Sequence, residues 1–266
     1  MEGYTARELT FETDRLPAIA GIARKIQDIT GDTYMAGLWK NDLGAGLCWR
    51  IRGFGDLCRP SRYRAPSWSW AALEGSITHR IPEEHKLSAK LITFEIKTDE
   101  NNPFGEVLSG QVVLSGCLRT FQVAQGTVGI ELIESDEKHR RMNRLVSHEK
   151  QESVNGVHLY GLRDQGSVTD PWGTGMCEIY FDLEPPDSIE QVVLFQLLAN
   201  DHEVMSDDEN GTFIPHGIVL EKAGSHEDWY QRIGMYSITD ASGVYVLPGA
   251  ERAALGDWIE KTVTII

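Results

Sequence analysis

The sequence predicts an α+β fold, with N-terminal helices packed on a mainly antiparallel β-sandwich or barrel-like body. Three observations predict it. Between Leu16 and Ile29, apolar residues recur at spacings of three and four, the repeat of one helix face. From Ser67 onward the repeat changes to two. Many short alternating runs then follow, separated by Gly, Asp, Asn and Pro, as in a sandwich or barrel rather than a parallel α/β sheet.

The first predicted element is a helix over residues 14–30. Leu16, Ile19, Ala20, Ile22, Ala23, Ile26 and Ile29 share one face, which is expected to glue the helix onto the sheet. Thr13 or Asp14 supplies a cap for the free backbone N–H groups. Pro17 falls in the first turn, where a missing N–H costs little. Gly31 is the expected stop, and Arg24 and Lys25 suit the C-terminal end of the dipole. A second, shorter helical stretch is predicted over 34–42. Gly53, Gly55, Pro60 and Pro66 then mark an irregular connection.

Period two begins where Trp68 and Trp70 alternate with serines. Strands are predicted over 87–96, 112–121, 128–133, 157–162, 177–183, 192–198, 214–220, 230–238 and 244–247, with a closing strand over 262–266. A short helix is expected over 250–255. The charge-rich stretch 134–153 and the acidic stretch 201–210 (DHEVMSDDEN) read as surface loops. The chain thus divides into a helical N-terminal segment, 1–72, and a β-rich body, 73–266, joined as one unit.

Composition narrows the function classes. With 266 residues, 41% hydrophobic and 24% charged, the chain reads as globular. Its net charge is −15, a field that repels phosphates, so neither nucleic acid nor an anionic membrane is an expected partner. Residues 1–80 carry 11 basic and 9 acidic side chains, and residues 81–266 carry 14 basic and 31 acidic. One cluster in the front part is basic: Arg50, Arg52, Arg59, Arg62 and Arg64 against Asp56. Arg59, Arg62 and Arg64 are candidates for docking an acidic partner, although such arginines are more often solvated or internally paired.

The four cysteines, Cys48, Cys58, Cys117 and Cys177, form no C-x-x-C pair and no disulfide framework. The N-terminus has no apolar signal-peptide core, and the run from Val192 to Ala199 is too short to span a bilayer, so a cytoplasmic protein is expected. No cofactor is expected. The eight histidines show no close ligand spacing for zinc. Aligning Gly211 as the sixth position of a calcium loop puts Ser206 first and Gly217 twelfth, which lacks the required carboxylates. No phosphate loop, dinucleotide fingerprint or nucleophile elbow is present. Ser147-His148-Glu149 has triad residue types, but sequence neighbours point to different sides.

Trp39, Trp49, Trp68 and Trp70 crowd into one short region. They are the candidate binding residues of a ligand groove, since aromatic faces hold sugars and cations. The simpler reading is a core that joins the front helix to the first strand, each ring burying a large area.

These residues also resemble a family. Tyr4-Thr-Ala-Arg7, the run from Leu9 to Ala23 and Gly31-Asp-Thr-Tyr-Met-Ala-Gly-Leu-Trp39 are similar to the segment that follows the HET domain of fungal heterokaryon-incompatibility proteins. Tyr63-Arg-Ala-Pro-Ser-Trp-Ser-Trp-Ala71 is the most specific piece. Gly217-Ile-Val-Leu220, Tyr230-Gln-Arg-Ile-Gly-Met235 and Val263-Thr-Ile-Ile266 also fit. The likeness is dense over 4–72 and sparse afterwards. It implies the non-catalytic back part of such a protein, the HET domain's own "ALSY.WG"-like and "WID..CI.Q"-like segments being absent. It further implies a cytoplasmic fungal setting of non-self recognition and cell death, with a HET domain in cis or in trans as partner. It assigns no catalytic residue to these positions. Two other readings stay beside it: a small-molecule or carbohydrate-binding β domain, and a hydrolase assembled from dispersed Asp, Glu and His.

Overall fold

The computed structural model describes residues 2–7, 9–51, 59–79, 85–125, 130–134, 143–147, 157–164, 175–183, 191–200, 215–239 and 258–266. After a first turn of helix, α1 (Glu2–Thr5), the predicted helix over 14–30 breaks into three pieces. Two 3-10 turns, Glu12–Arg15 and Pro17–Ile19, precede α2 (Ala20–Thr30). Pro17 opens the second turn, where its absent N–H is not needed. Neither Thr13 nor Asp14 caps α2, which starts without a side-chain cap. Gly31 ends it as expected, at φ 69°, its N–H donating to Gln27 O at 2.8 Å.

The expected gluing face is where structure and sequence part. Ala23 is buried and Ile19 packs on the core. Ile22, Ile26 and Ile29, however, are 64%, 39% and 71% exposed, and Phe11 is 65% exposed. The stripe splits: Leu16, Ile19 and Ala23 turn to the core, while Ile22, Ile26 and Ile29 face away from it.

The stretch 34–42 is a hairpin rather than a helix. β1 (Tyr34–Met35) pairs with β2 (Leu38–Trp39) around the two-residue turn Ala36-Gly37. Both turn residues have positive φ, 46° and 95°, as tight right-twisted hairpins require. A Cβ at Gly37 would lie 2.7 Å from Trp70 Nε1, so only glycine fits there. A 3-10 turn (Lys40–Asp42) and α3 (Leu43–Gly46) follow, then β3 (Trp49–Ile51), which pairs with β4 (Ile77–His79).

Residues 67–70 are not a strand either. They form a turn leading into a 3-10 turn, Trp70–Ala72, and the motif ties the front segment together. Ser69 Oγ donates to Ala36 O at 2.6 Å and accepts from Ala71 N at 3.1 Å. Trp70 Nε1 donates to Gly37 O at 2.9 Å. The two carbonyls of the hairpin turn are thereby satisfied inside the protein.

The body is β5 (His85–Leu87), β6 (Lys90–Thr98), β7 (Val107–Gln125), β8 (Ile130–Glu134), β9 (Asn143–Ser147), β10 (Val157–Asp164), β11 (Gly175–Phe181), β12 (Gln191–Asn200), β13 (Pro215–Lys222), β14 (Trp229–Thr239) and β15 (Ile259–Ile265). The strand predicted over 87–96 divides at Ser88-Ala89, whose N–H groups both turn to Leu197 O. β9 occupies part of the stretch expected to be a loop. The expected strand at 244–247, the helix at 250–255 and the acidic loop at 201–210 lie outside the described residues.

The sheet is antiparallel except where β14 and β15 run parallel. It closes on itself because β7 is long enough to serve four partners. Along one edge it pairs with β6 and then β12; along the other, with β15 and then β8. Following β7 to β12, β13, β14, β15 and back to β7 completes a five-stranded circuit. A second circuit runs from β14 through β11, β10, β9 and β8 to β7. Closure removes open edges from the strands it joins.

One hydrophobic core runs through both parts of the chain. It takes Leu16, Met35, Leu47 and the tryptophans from the front and Val112, Phe195, Ile218 and Val263 from the strands. The front segment therefore shares one core with the barrel strands it packs on. Among the described residues, no helix is long and apolar enough to cross a membrane.

Candidate functional site

Three of the four candidate tryptophans are interior residues. Trp49, Trp68 and Trp70 are each 0% exposed, which rules out a groove lined by their faces and fits the core reading. Trp39 is half-buried, its ring edge-on to Tyr34 at 5.4 Å between centroids. Trp49 Nε1 donates to Trp68 O at 3.1 Å, so two of the rings are also linked through the backbone.

The candidate arginines separate in the same way. Arg64 is buried, and its guanidinium is fully engaged inside the front segment. Nε donates to Ala71 O at 2.6 Å, Nη2 to Leu73 O at 2.9 Å, and Nη1 to Glu12 O at 2.7 Å and to Glu74. Glu74 also takes Arg15, whose Nη1 lies 2.8 Å from Oε2. One carboxylate thus neutralises two buried guanidiniums, and Arg64 is a clamp rather than a docking residue. Arg59 and Arg62 remain exposed. Arg50 lies over the Tyr180 ring at 4.2 Å, and Arg52 lies outside the described residues.

A charge that sequence patterning does not disclose sits deeper. Arg232, on β14, is 0% exposed. Its guanidinium lies 3.3 Å from the centroid of Trp49, Nη1 is 2.5 Å from Asp182 Oδ2, and Nη2 donates to Trp49 O at 2.5 Å. Burial pushes the Asp182 carboxyl up to about 6, with Arg232 pulling the other way. Nothing in the residue type marks Arg232 as interior; in the sequence it reads as a surface arginine.

A cleft of about 460 Å³ opens where β15 ends. Arg59, Tyr63, Glu95, Lys97, Trp229 and Gln231 form its walls. Pro66, Ser67, Ser109, Gly110, Gln111 and Ile266 also line it. Its volume falls in the range of ligand clefts. Arg59 is the one residue of the candidate set that the fold brings to it. Nothing in the sequence singles out Trp229, which is held by stacking on His226 at 4.6 Å. The walls hold a single acid, Glu95, and no histidine. Among the described residues no three His, Cys, Asp or Glu side chains come together as a metal site. Cys48 is buried, its thiol pushed up to about 12 by desolvation, which leaves it unreactive at neutral pH.

The geometry defines an α+β chain with a closed, mainly antiparallel body, a front segment that shares its core, and an open cleft among the described residues. No known protein family, curated protein or solved structure matches this chain.

Proposed function

We propose that this chain is a non-enzymatic recognition or regulatory region of a heterokaryon-incompatibility-like protein, working in the cytoplasm in non-self recognition and cell-death signalling, with a HET domain in cis or in trans as its partner. The observation that carries the reading is the outward apolar face of α2. Ile22, Ile26 and Ile29 occupy one side of the helix and stand 64%, 39% and 71% exposed. Exposed apolar ridges of this kind mark protein–protein contacts, because leaving them in water costs free energy that a partner recovers. The heterokaryon-incompatibility family places its HET domain N-terminal to the region resembled here, and the stripe lies on that part of the chain. A rigid mount supports the same role, since α2 lies between Arg15 and the Arg64–Glu74 pair, which are joined through the Glu74 carboxylate.

Charges placed in the stripe test this role. Ile22→Lys with Ile29→Lys touches no core contact, so stability is expected to change by no more than about 0.5 kcal/mol. Binding to a separately expressed HET domain, measured by pull-down and calorimetry, is expected for the native chain and lost in the double variant. A native chain that binds no HET domain, fused or separate, contradicts the reading.

A further inference from the structure

β6 borders the sheet. It pairs with β7 along one edge, and no described strand pairs with it along the other. Its own irregularity comes early. Leu91 pairs with Leu114 and Thr93 with Val113, so Ile92 is an extra residue, and it stands 51% exposed. The second shift, at Lys97/Thr98, places its extra residue, Leu108, on β7. The outer edge of β6 is therefore a regular extended run over 93–98.

Side chains alternate along this run. Thr93, Glu95 and Lys97 are exposed, while Phe94, Ile96 and Thr98 are half-buried, with Phe94 and Ile96 packed on the core. Glu95 and Lys97 are 57% and 67% exposed and lie 3.5 Å apart, so the pair within the strand is weak and both charges can meet others. Glu95 also accepts from Gln111 Nε2 at 3.4 Å, the long limit of a hydrogen bond.

Charged residues ordinarily blunt an edge. Toward an identical strand, the order of charges on β6 has the opposite effect. When two copies of a strand pair antiparallel across a two-fold axis at Ile96, Glu95 of each copy faces Lys97 of the other. Ile96 then faces Ile96, and Phe94 faces Thr98. Opposite charges placed directly across a pair of strands attract, and like charges there repel. An axis one residue away, at Glu95 or at Lys97, sets Glu95 against Glu95 or Lys97 against Lys97. The charges thus select a single register.

We propose that β6 is a self-association edge, through which two copies of this chain pair antiparallel about Ile96 and join their sheets across a two-fold axis. Such an interface is self-complementary, so each contact occurs twice. The net charge of −15 opposes the approach of two copies. At about 0.15 M salt, however, screening over roughly 8 Å weakens that field, while the facing pairs act at contact. The edge uses no residue of the α2 stripe, so self-association and HET-domain binding hold or fail separately.

Sedimentation equilibrium of the full chain at about 0.15 M salt tests the pairing. The native chain is expected to form a reversible dimer with a Kd on the order of 100 µM, at the weak end that a small interface implies. Glu95→Lys and Lys97→Glu each turn both attractive pairs into like-charge pairs. Each is expected to keep the native circular dichroism and to weaken self-association about tenfold or more. Mixed in equal amounts, the two variants are expected to pair with each other at about the native affinity, because two cations of one then face two carboxylates of the other. The substitutions move the net charge from −15 to −13 and −17, so both variants stay strongly acidic and general attraction does not bring them together. A native chain that stays monomeric well above this Kd, single variants that dimerise as the native chain does, or a mixture in which the two do not pair would each overturn the proposal.

Discussion

Replacing Arg232 with methionine is expected to destabilise the protein by about 3–5 kcal/mol at pH 8, the usual cost of leaving a buried charge without its partner. Methionine fills comparable space over Trp49, so the loss comes mainly from Asp182, which is 3% exposed and must then either hold its charge with no counterion or take up a proton. The penalty depends on pH, and its direction follows from Asp182. The carboxyl is raised from 3.8 to about 6 in the folded protein, so the folded state holds a proton that the unfolded state has released. Its stabilising contribution is complete below about 4 and is lost as pH rises through about 6. Without Arg232 the carboxyl rises further, and the loss extends above neutrality. Chemical denaturation of the Arg232→Met variant should therefore show its largest deficit at pH 8 and its smallest near pH 5. A deficit that is the same at both would show that the pair is not the source of the effect.

Trp68→Ala is expected to cost about 3–5 kcal/mol as well, through the cavity left by a fully buried ring. The site has little room to collapse. Trp68 lies under Gly110, where an added Cβ would already come within 3.4 Å of the indole, and its carbonyl holds Trp49 Nε1. Because domains of this size are typically stable by only about 5–15 kcal/mol, the variant loses a large share of its margin. Thermal unfolding is expected to fall by about 10 °C. A shift of only a few degrees would mean that the front segment carries little of the core. By contrast, Trp39→Ala, at a half-buried position, is expected to cost less.

How far the sequence discloses this molecule varies by element, for physical reasons. β14 is legible because alternation reports one buried and one freer face, with Tyr230 and Arg232 buried and Gln231 and Ile233 half-buried, whereas β12 and β13 are legible as apolar runs buried at consecutive positions, 192–198 and 216–220. The same alternation misleads at Ser67-Trp68-Ser69-Trp70. There, small polar and large apolar residues alternate because each serine ties a separate backbone group while each indole fills the core, all within a turn. The hairpin over 34–39 carries a helical composition, and its turn depends on Ala36 accepting a positive φ that alanine rarely adopts. For α2 the stripe specifies a helix but not what covers it. Arg64 and Arg232 are illegible as interior charges, since burial depends on carbonyls and acids supplied from remote segments: Arg232 meets Trp49 and Asp182, 183 and 50 residues away. The cleft escapes for the same reason, being assembled from residues between 59 and 266. The tryptophans, by their size and crowding, do disclose the join between the two parts of the chain.

That join is the claim on which the remainder rests, and native-state hydrogen exchange tests it most directly. If the front segment and the barrel share one core, amides of β3 and of the Trp70–Ala72 turn will open with the same free energy as those of β12 and β14, while α2, with its outer face bare, opens at lower cost. If instead β3 and the Trp70–Ala72 turn exchange several kcal/mol more easily than the barrel strands, the front segment is a separate unit, and the rigid mount ascribed to it does not exist.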